Sequence, residues 1–238
     1  MKNLAIISER IRTEFEERTR MRDQALARAR EITRNAVYAI RAIHRNEHEA
    51  AMQHLSNARV LVAELQKDLA SHPELYYAGY TQDGIKEFVE ASITCALIEN
   101  HPLPLPEELG CESATYLNGL AEVTGELRRR CLDILRKGYS SEAERLLNCM
   151  DDIYAELVTM DFPDAVTNGL RRQTDLVRGI VERTRGDLTI SLREHQLQKA
   201  LQSHSTLLKK ISAGSPDNPL PDSSTSFLSQ QDADDSSL

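Results

Sequence analysis

The first 45 residues contain neither glycine nor proline, the two residues that most often interrupt a helix. Apolar side chains recur in this stretch at helical spacing: Ile7, Ile11, Phe15, Ile32, Ala36, Ala39 and Ile43. The pattern predicts one long helix, or two nearly collinear ones, from Asn3 to about Arg45. A chain that begins with so long an uninterrupted helix is limited to a small number of architectures.

The rest of the chain carries the same helical periodicity. Further helices are predicted at about 48–70, 83–100, 114–137, 141–160 and 163–210. Aromatic residues make up only 5%, and the 10 glycines and 8 prolines are too few for a β-sandwich or a barrel. We therefore expect an all-α fold, a bundle of six to seven antiparallel helices.

Composition also sets the predicted domain boundary and location. Residues 1–213 read as one helical domain, whereas 214–238 hold five aspartates, no basic residue and few apolar ones, so we expect a disordered acidic tail. No apolar run approaches the roughly 20 residues of a membrane span. The apolar part of MKNLAIISER is too short for a secretory signal, and the four cysteines show no CxxC spacing. These features predict a cytoplasmic protein without membrane contact or disulfides.

The net charge of −8 is unevenly distributed. Residues 1–45 carry a balance of +5, residues 46–127 a balance of −11, and residues 128–213 a balance of +3. An acidic middle therefore lies between two arginine-rich ends. Local patches decide binding, so the acidic total does not exclude an anionic partner.

The acidic middle contains the most informative stretch. Residues 87–127 hold eight glutamates and no lysine or arginine. Glu87 and Glu90 lie on a helix that is otherwise apolar nearly all round, and such a helix should be buried. Buried carboxylates without basic partners are costly unless they are protonated or bound to a cation. With Glu122 and Glu126 on the next long helix, they could form an all-oxygen cage for Mg²⁺ or Mn²⁺.

Spacing alone leaves other interpretations open. Glu122 and Glu126 lie opposite the apolar stripe of their helix, so a solvated face explains them equally well. A carboxylate-bridged di-iron site requires Glu-x-x-His pairs, which the chain lacks. His44 and His48 are four residues apart and could bind a metal, but surface or hydrogen-bonding roles are favoured.

Arginines crowd the first and last helices. We consider four of them candidates for holding phosphates: Arg30, Arg34, Arg41 and Arg45. Arginine forks match phosphate geometry, and a dense track suits a nucleic-acid backbone. Ion pairs with nearby acids such as Glu31 are an equally weighted alternative. Few aromatic residues are available for stacking, so base-specific readout is not expected.

Three segments in this order resemble the translin family: REITRNAVYAIRAIHR at 30–45, GIKEFVEAS at 84–92 and YLNGLAEVTGELRRRCLD at 116–133. The resemblance covers about residues 5–200 and is closest to the branch of translin-associated factor X and its archaeal relatives. It implies a seven-helix fold that assembles into a closed, hollow homo-oligomer, typically an octamer. It further implies an Mg²⁺-dependent endoribonuclease whose acidic residues face the interior.

The resemblance carries over onto the same four acids that the charge pattern isolates. The ExxE motif of the catalytic branch matches Glu87 and Glu90, and its acidic-x-x-x-Glu motif matches Glu122 and Glu126. The first acid of the second motif is usually aspartate, so the longer arm of Glu122 could shift the metal spacing. The basic, histidine-containing cluster of translin itself is reduced here to Lys86 within YYAGYTQDGIK.

The resulting expectation is an Mg²⁺-dependent endoribonuclease that cleaves single-stranded RNA inside a homo-oligomeric shell. In it, all four glutamates would ligate the metal and orient the attacking water. The main alternative is a non-catalytic, oligomeric scaffold that binds single-stranded RNA or DNA. A helical interaction protein with no nucleic-acid role is a third possibility.

Overall fold

The structure, a computed structural model, describes residues 3–213. This part of the chain contains nine α-helices and no β-strand. In chain order the helices are α1 (Leu4–His44), α2 (His48–Asp68), α3 (Pro73–Tyr76), α4 (Gly79–Ile98), α5 (Pro106–Leu109), α6 (Ser113–Leu135), α7 (Ser141–Thr159), α8 (Asp164–Thr167) and α9 (Leu170–Ala213). Three of them (α3, α5 and α8) are single turns of four residues. The all-α class and a bundle of six long helices are confirmed.

Several helices end at an asparagine with positive φ. Asn46 (φ 61°) follows α1, Asn100 (φ 58°) follows α4, and Asn168 (φ 52°) follows α8. Asparagine tolerates this left-handed conformation better than most residues, and it commonly ends a helix. Gly169 continues with φ 79°, so the predicted helix from 163 to 210 is interrupted there. The long part begins only at Leu170.

Helix α4 lies at the centre of the bundle and packs against α1, α2, α6 and α7. Its apolar residues Ile85, Phe88, Val89 and Ile93 are fully buried, as the sequence predicts for a helix that is apolar nearly all round. Because α4 is surrounded by other helices, any charged side chain on it must find a partner or a gap between neighbours.

Helices α4 and α6 approach each other closely at Gly119. A Cβ atom at this position would lie 2.8 Å from Val89 Cγ1 and 3.2 Å from the Lys86 carbonyl oxygen. Only glycine fits such a contact, because any side chain would force the two helices apart. The contact brings the middle of α6 against the segment of α4 that carries Glu87 and Glu90.

The chain divides into two compact units, one up to His195 and one from Gln196 onward. In the first unit, residues 4–20 of α1 are exposed, among them Leu4, Ile7, Ile11 and Phe15. In the second, the described residues continue α9 to Ala213. The predicted tail at 214–238 lies outside the described residues. Within 3–213, no helix has the length and apolarity to span a membrane.

Candidate metal centre

Three of the four predicted acids form a cluster between α4 and α6. Glu87 and Glu90 of α4 and Glu122 of α6 each place one carboxylate oxygen so that all three atoms lie within 4.8 Å of one another. All three residues are partly buried. The spacing of three on α4 puts Glu87 and Glu90 on one face, and the Gly119 contact brings Glu122 to that face.

The α4 carboxylates have no ion-pair partner among residues 3–213 within 4.0 Å. Burial raises the pKa of Glu87 above its usual range, although the charge of Lys86 opposes the shift. Burial, reinforced by the charges of Glu87, Glu122 and Glu126, raises the pKa of Glu90 to about 8. The ionised form of Glu90 is therefore unfavourable unless a cation is close to it.

The α6 carboxylates differ because both have partners. Glu122 Oε1 accepts hydrogen bonds from Lys86 Nζ at 2.7 Å and from Gln173 Nε2 at 3.3 Å. The side chains of Glu122 and Glu126 are each only 24% exposed. A fully solvated face, the alternative that the spacing leaves open, therefore does not describe them.

Glu126 is held by a buried histidine. His44 Nε2 lies 2.6 Å from Glu126 Oε2, and the His44 side chain is only 3% exposed. Arg129 adds a weaker contact at 3.5 Å. The hydrogen bond from His44 lowers the pKa of Glu126, so this carboxylate is stabilised in its ionised form. Glu126 is not one of the three clustered acids; its charge nevertheless acts on Glu90.

Sequence reasoning missed the roles of His44, Lys86 and Arg129. The four-residue spacing of His44 and His48 suggested a possible pair, but each histidine binds a different glutamate. His44 binds Glu126, and His48 Nδ1 lies 2.6 Å from Glu99 Oε1. His44 and Glu126 are 82 positions apart in the chain, so local spacing contains no sign of this contact. Lys86, by contrast, directly precedes Glu87, so its electrostatic effect on Glu87 could have been expected from the sequence.

The four candidate arginines of α1 lie apart from the carboxylates. Arg30, Arg34, Arg41 and Arg45 are exposed, on the helix face opposite the buried residues Ile32, Ala36, Ala39 and Ile43. Arg34 pairs with Glu31 at 3.3 Å, whereas the other three form no ion pair with a residue between 3 and 213. None of the four contacts the acidic cluster. Their predicted role in holding phosphates stays a prediction.

The donor set of the cluster suits a hard divalent cation. Carboxylate oxygens are the ligands that Mg²⁺ and Mn²⁺ prefer, and within the described chain no histidine or cysteine belongs to the cluster. Burial is the main cause of the raised pKa of Glu90, and the neighbouring carboxylates add to it, so a bound cation would favour the ionised form. The residues present therefore fit the metal that the sequence predicts.

Known proteins with similar folds include several named C3PO. In its complex with duplex RNA, AfC3PO is 33% identical and superposes with a TM-score of 0.72, over 78% of this chain and 96% of that one. A separate AfC3PO crystal structure gives 32% identity and a TM-score of 0.72, over 78% and 97%. Apo-NeC3PO, at 21% identity and a TM-score of 0.70 over 77% and 96%, shares the fold.

Sequence comparison leads to the same group. An uncharacterised protein of Methanocaldococcus jannaschii is 34% identical over 181 residues, which cover 74% of this chain and 80% of that protein. The profile of the Translin family matches residues 9–185, and this range includes all four predicted acids. The resemblance noted in the sequence is thereby confirmed, and the chain belongs to the translin family.

Proposed function

We propose that this protein is an Mg²⁺-dependent endoribonuclease that cleaves RNA at the cluster between α4 and α6. The observation that carries the proposal is the convergence of Glu87, Glu90 and Glu122, with their oxygens within 4.8 Å of one another. Clusters of carboxylates that bind divalent cations are a recurring device of enzymes that hydrolyse phosphodiesters.

The four glutamates have two different roles in this proposal. Glu87, Glu90 and Glu122 would hold one or two divalent cations, Mg²⁺ or Mn²⁺, which supply Lewis-acid activation of the phosphodiester. Glu126 is ionised and has one oxygen, Oε2, fixed by His44. Its other oxygen, Oε1, can accept a hydrogen bond from the attacking water and orient it. Glu126 thereby completes the set of four acids with a positioning role.

RNA is the proposed substrate because AfC3PO, 33% identical to this chain, is known in complex with duplex RNA. We propose single-stranded RNA as the strand that is cut, because a single strand can bend its backbone into a site between two helices. The exposed arginines Arg30, Arg34, Arg41 and Arg45 would add phosphate contacts along α1. Single-stranded DNA would bind through the same phosphate contacts without being cleaved.

A closed homo-oligomer, in the form of an octamer, is part of the same proposal. Leu4, Ile7, Ile11 and Phe15 are exposed on the first turns of α1, which favours burial against another copy of the chain. Gel filtration with light scattering should give a mass several times the 26.8 kDa of one chain. A monomer at micromolar concentration would contradict the shell.

Cleavage of a labelled RNA by Glu126→Gln tests the site. The variant should lose at least about 100-fold in cleavage rate, since single groups that act on the transition state contribute roughly 10²–10³-fold. RNA binding in EDTA should stay within about twofold, because binding rests on phosphate contacts elsewhere. Wild-type cleavage should stop in EDTA and return with Mg²⁺.

The matched control is Glu49→Gln, an exposed glutamate on α2 with no hydrogen bond or ion pair to residues 3–213. It makes the same change of charge and should cleave normally. A non-catalytic scaffold is the alternative, and it predicts bound but intact RNA with every variant. Cleavage by Glu126→Gln at the wild-type rate would show that the site is placed wrongly.

A further inference from the structure

A cleft of about 620 Å³ lies where α6 ends and the chain turns toward α7. We name it the α6 cleft, and the residues that matter for its chemistry are His44, Asn46, Arg130, Arg136, Lys137 and Tyr139. Its volume falls within the roughly 300–1,000 Å³ of small-ligand sites.

The α6 cleft is positively charged in a protein of net charge −8. Arg130, Arg136 and Lys137 line it against a single carboxylate, Asp133. Arg136 is 83% exposed and lies 3.9 Å from that carboxylate, which is a weak contact. Lys137 forms no ion pair with any residue from 3 to 213. Two cationic charges therefore remain available to an anion.

Arg130 is held in place by neutral acceptors. Its NH1 donates to the His44 carbonyl oxygen at 3.2 Å and its NH2 donates to Asn46 Oδ1 at 2.8 Å. No carboxylate of the described chain lies within 4.0 Å of it, and its buried Nε has no hydrogen-bond partner there. A guanidinium that is fixed by neutral acceptors and has no carboxylate partner is suited to a phosphate oxygen, which would contact its terminal nitrogens because Nε is buried.

His44 joins the α6 cleft to the metal centre. His44 is one of the residues that line the cleft: its carbonyl oxygen accepts from Arg130, while its buried side chain binds Glu126 through Nε2. Tyr139 offers an aromatic surface in the same cleft, with its ring stacked on His195 at 5.4 Å. Arg130 lies four residues after Glu126 on α6, so a phosphate bound at Arg130 would lie about one helical turn from Glu126.

We propose that the α6 cleft binds a phosphate group of the nucleic acid and guides the strand to the carboxylate cluster. The guiding role rests on the proposed function, whereas phosphate binding stands on the cleft alone. The phosphate has two sources, an internal phosphodiester of the strand or a terminal 5′-monophosphate. Both present the same oxygens to Arg130, Arg136 and Lys137.

The test measures binding of a fluorescently labelled, 12-nucleotide single-stranded RNA in EDTA, where no metal-dependent cleavage occurs. The double variant Arg136→Gln/Lys137→Gln changes two exposed side chains. Its dissociation constant should rise several-fold at low salt. The slope of log K against log salt should become shallower by about 0.7 for each phosphate of the single strand that the variant no longer neutralises.

The control is Arg59→Gln/Lys67→Gln, which removes the same charge from two exposed residues of α2. It should keep the wild-type slope, and thermal melting should confirm that both variants are folded. Equal affinities and slopes for the two double variants would overturn the proposal. RNAs with 5′-phosphate and 5′-hydroxyl ends distinguish the two sources. If the cleft binds a terminal phosphate, the Arg136→Gln/Lys137→Gln variant should lose affinity only for the 5′-phosphorylated RNA. If it binds an internal phosphodiester, the variant should lose affinity for both.

Failure of the proposed function gives a different result. If wild-type protein with Mg²⁺ leaves RNA intact but the Arg136/Lys137 variant still shows the shallower slope, the cleft binds phosphate without a nuclease. If wild-type protein cleaves RNA and the two double variants bind alike, the nuclease stands and the cleft assignment is wrong.

Discussion

The two helices that build the acidic cluster differ in whether their carboxylates have hydrogen-bond partners. On α4, Glu87 and Glu90 form no ion pair with the described chain, and burial raises the pKa of Glu90 to about 8. On α6, Glu122 binds Lys86 and Glu126 binds His44, whose hydrogen bond lowers the pKa of Glu126. The carboxylates of α4 have no partner that would stabilise their ionised form, whereas those of α6 are held by hydrogen-bond partners.

This difference separates binding from positioning. An uncompensated carboxylate gains most from a cation, so in the proposed mechanism the α4 pair would supply the driving force for metal binding. A carboxylate with a fixed partner keeps its orientation before and after the metal arrives. In the same proposal the α6 pair would supply the geometry, and Glu126 would orient the attacking water.

The largest effect that distinguishes the two helices is on the pH dependence of stability. The folded-state pKa of Glu90 is raised, so the folded protein binds more protons than the unfolded chain between about pH 4.5 and 8. Stability in EDTA should therefore fall as pH rises through this window. Glu90→Gln removes the effect and should be more stable than wild type at pH 8.5 by roughly 2–4 kcal/mol.

Glu126→Gln should have the opposite sign in the same urea denaturation experiment. The folded-state pKa of Glu126 is lowered, so its contribution is present above pH 4.5 and is lost on acidification. The variant should be less stable than wild type at pH 8.5 by about 1–3 kcal/mol, since the charged acceptor of buried His44 is removed. If Glu90→Gln and Glu126→Gln changed the free energy of unfolding in the same direction at pH 8.5, the distinction between the two helices would be wrong. Saturating Mg²⁺ should stabilise wild type more than Glu90→Gln.

The sequence predicted contacts between residues that are close in the chain better than contacts between residues that are distant in it. Glu87 with Glu90, and Glu122 with Glu126, are spaced three and four apart, so helical periodicity alone places each pair on one face. The meeting of the two faces rests on Gly119, whose lack of a side chain is readable from sequence but whose partner, Val89, is not.

Contacts between distant segments escaped prediction. His44 and Glu126 are 82 residues apart, and they meet only because the C-terminal end of α1 comes close to α6 in the folded chain. The α6 cleft likewise combines the end of α1 with the end of α6. The break at Asn168 and Gly169 was missed although asparagine-glycine is a turn signal, because helical periodicity resumes directly after the pair.

Substitution of His44 tests whether its hold on Glu126 of α6 affects metal binding or cleavage. His44→Leu should weaken Mn²⁺ affinity or RNA cleavage by about 10–100-fold, the usual cost of removing a group that orients a metal-site residue. His44→Gln keeps a donor and should recover part of the loss. Calorimetric titration with Mn²⁺ measures the affinity independently of cleavage.

The chain offers a matched control for this change in His48. It binds Glu99 at the same distance, 2.6 Å, but contacts none of the four acids. His48→Leu should leave Mn²⁺ affinity and cleavage as in wild type. If His44→Leu and His48→Leu behave alike, the His44–Glu126 contact is a stabilising bond without a role in the metal centre.

The smallest expected effect concerns the approach of the two helices. Gly119→Ala places a Cβ atom 2.8 Å from Val89 Cγ1, and the resulting overpacking should cost about 1–3 kcal/mol, reduced by the roughly 1 kcal/mol that alanine adds to a helix. Gly125→Ala on the same helix meets no atom within 4 Å, so it should stabilise the protein by about 0.5–1 kcal/mol.

Urea denaturation of both variants shows whether each substitution raises or lowers the free energy of unfolding. Titration with Mn²⁺ shows whether it changes the metal affinity of the cluster. Gly119→Ala should also weaken Mn²⁺ binding, because separating α4 from α6 moves Glu122 away from Glu87 and Glu90, whereas Gly125→Ala should not. If Gly119→Ala stabilised the protein as much as Gly125→Ala, the helices would have room to spare. The uncompensated pair on α4 and the held pair on α6 would then be neighbours without a fixed spacing, and a cluster of three oxygens within 4.8 Å would not be a property of the fold.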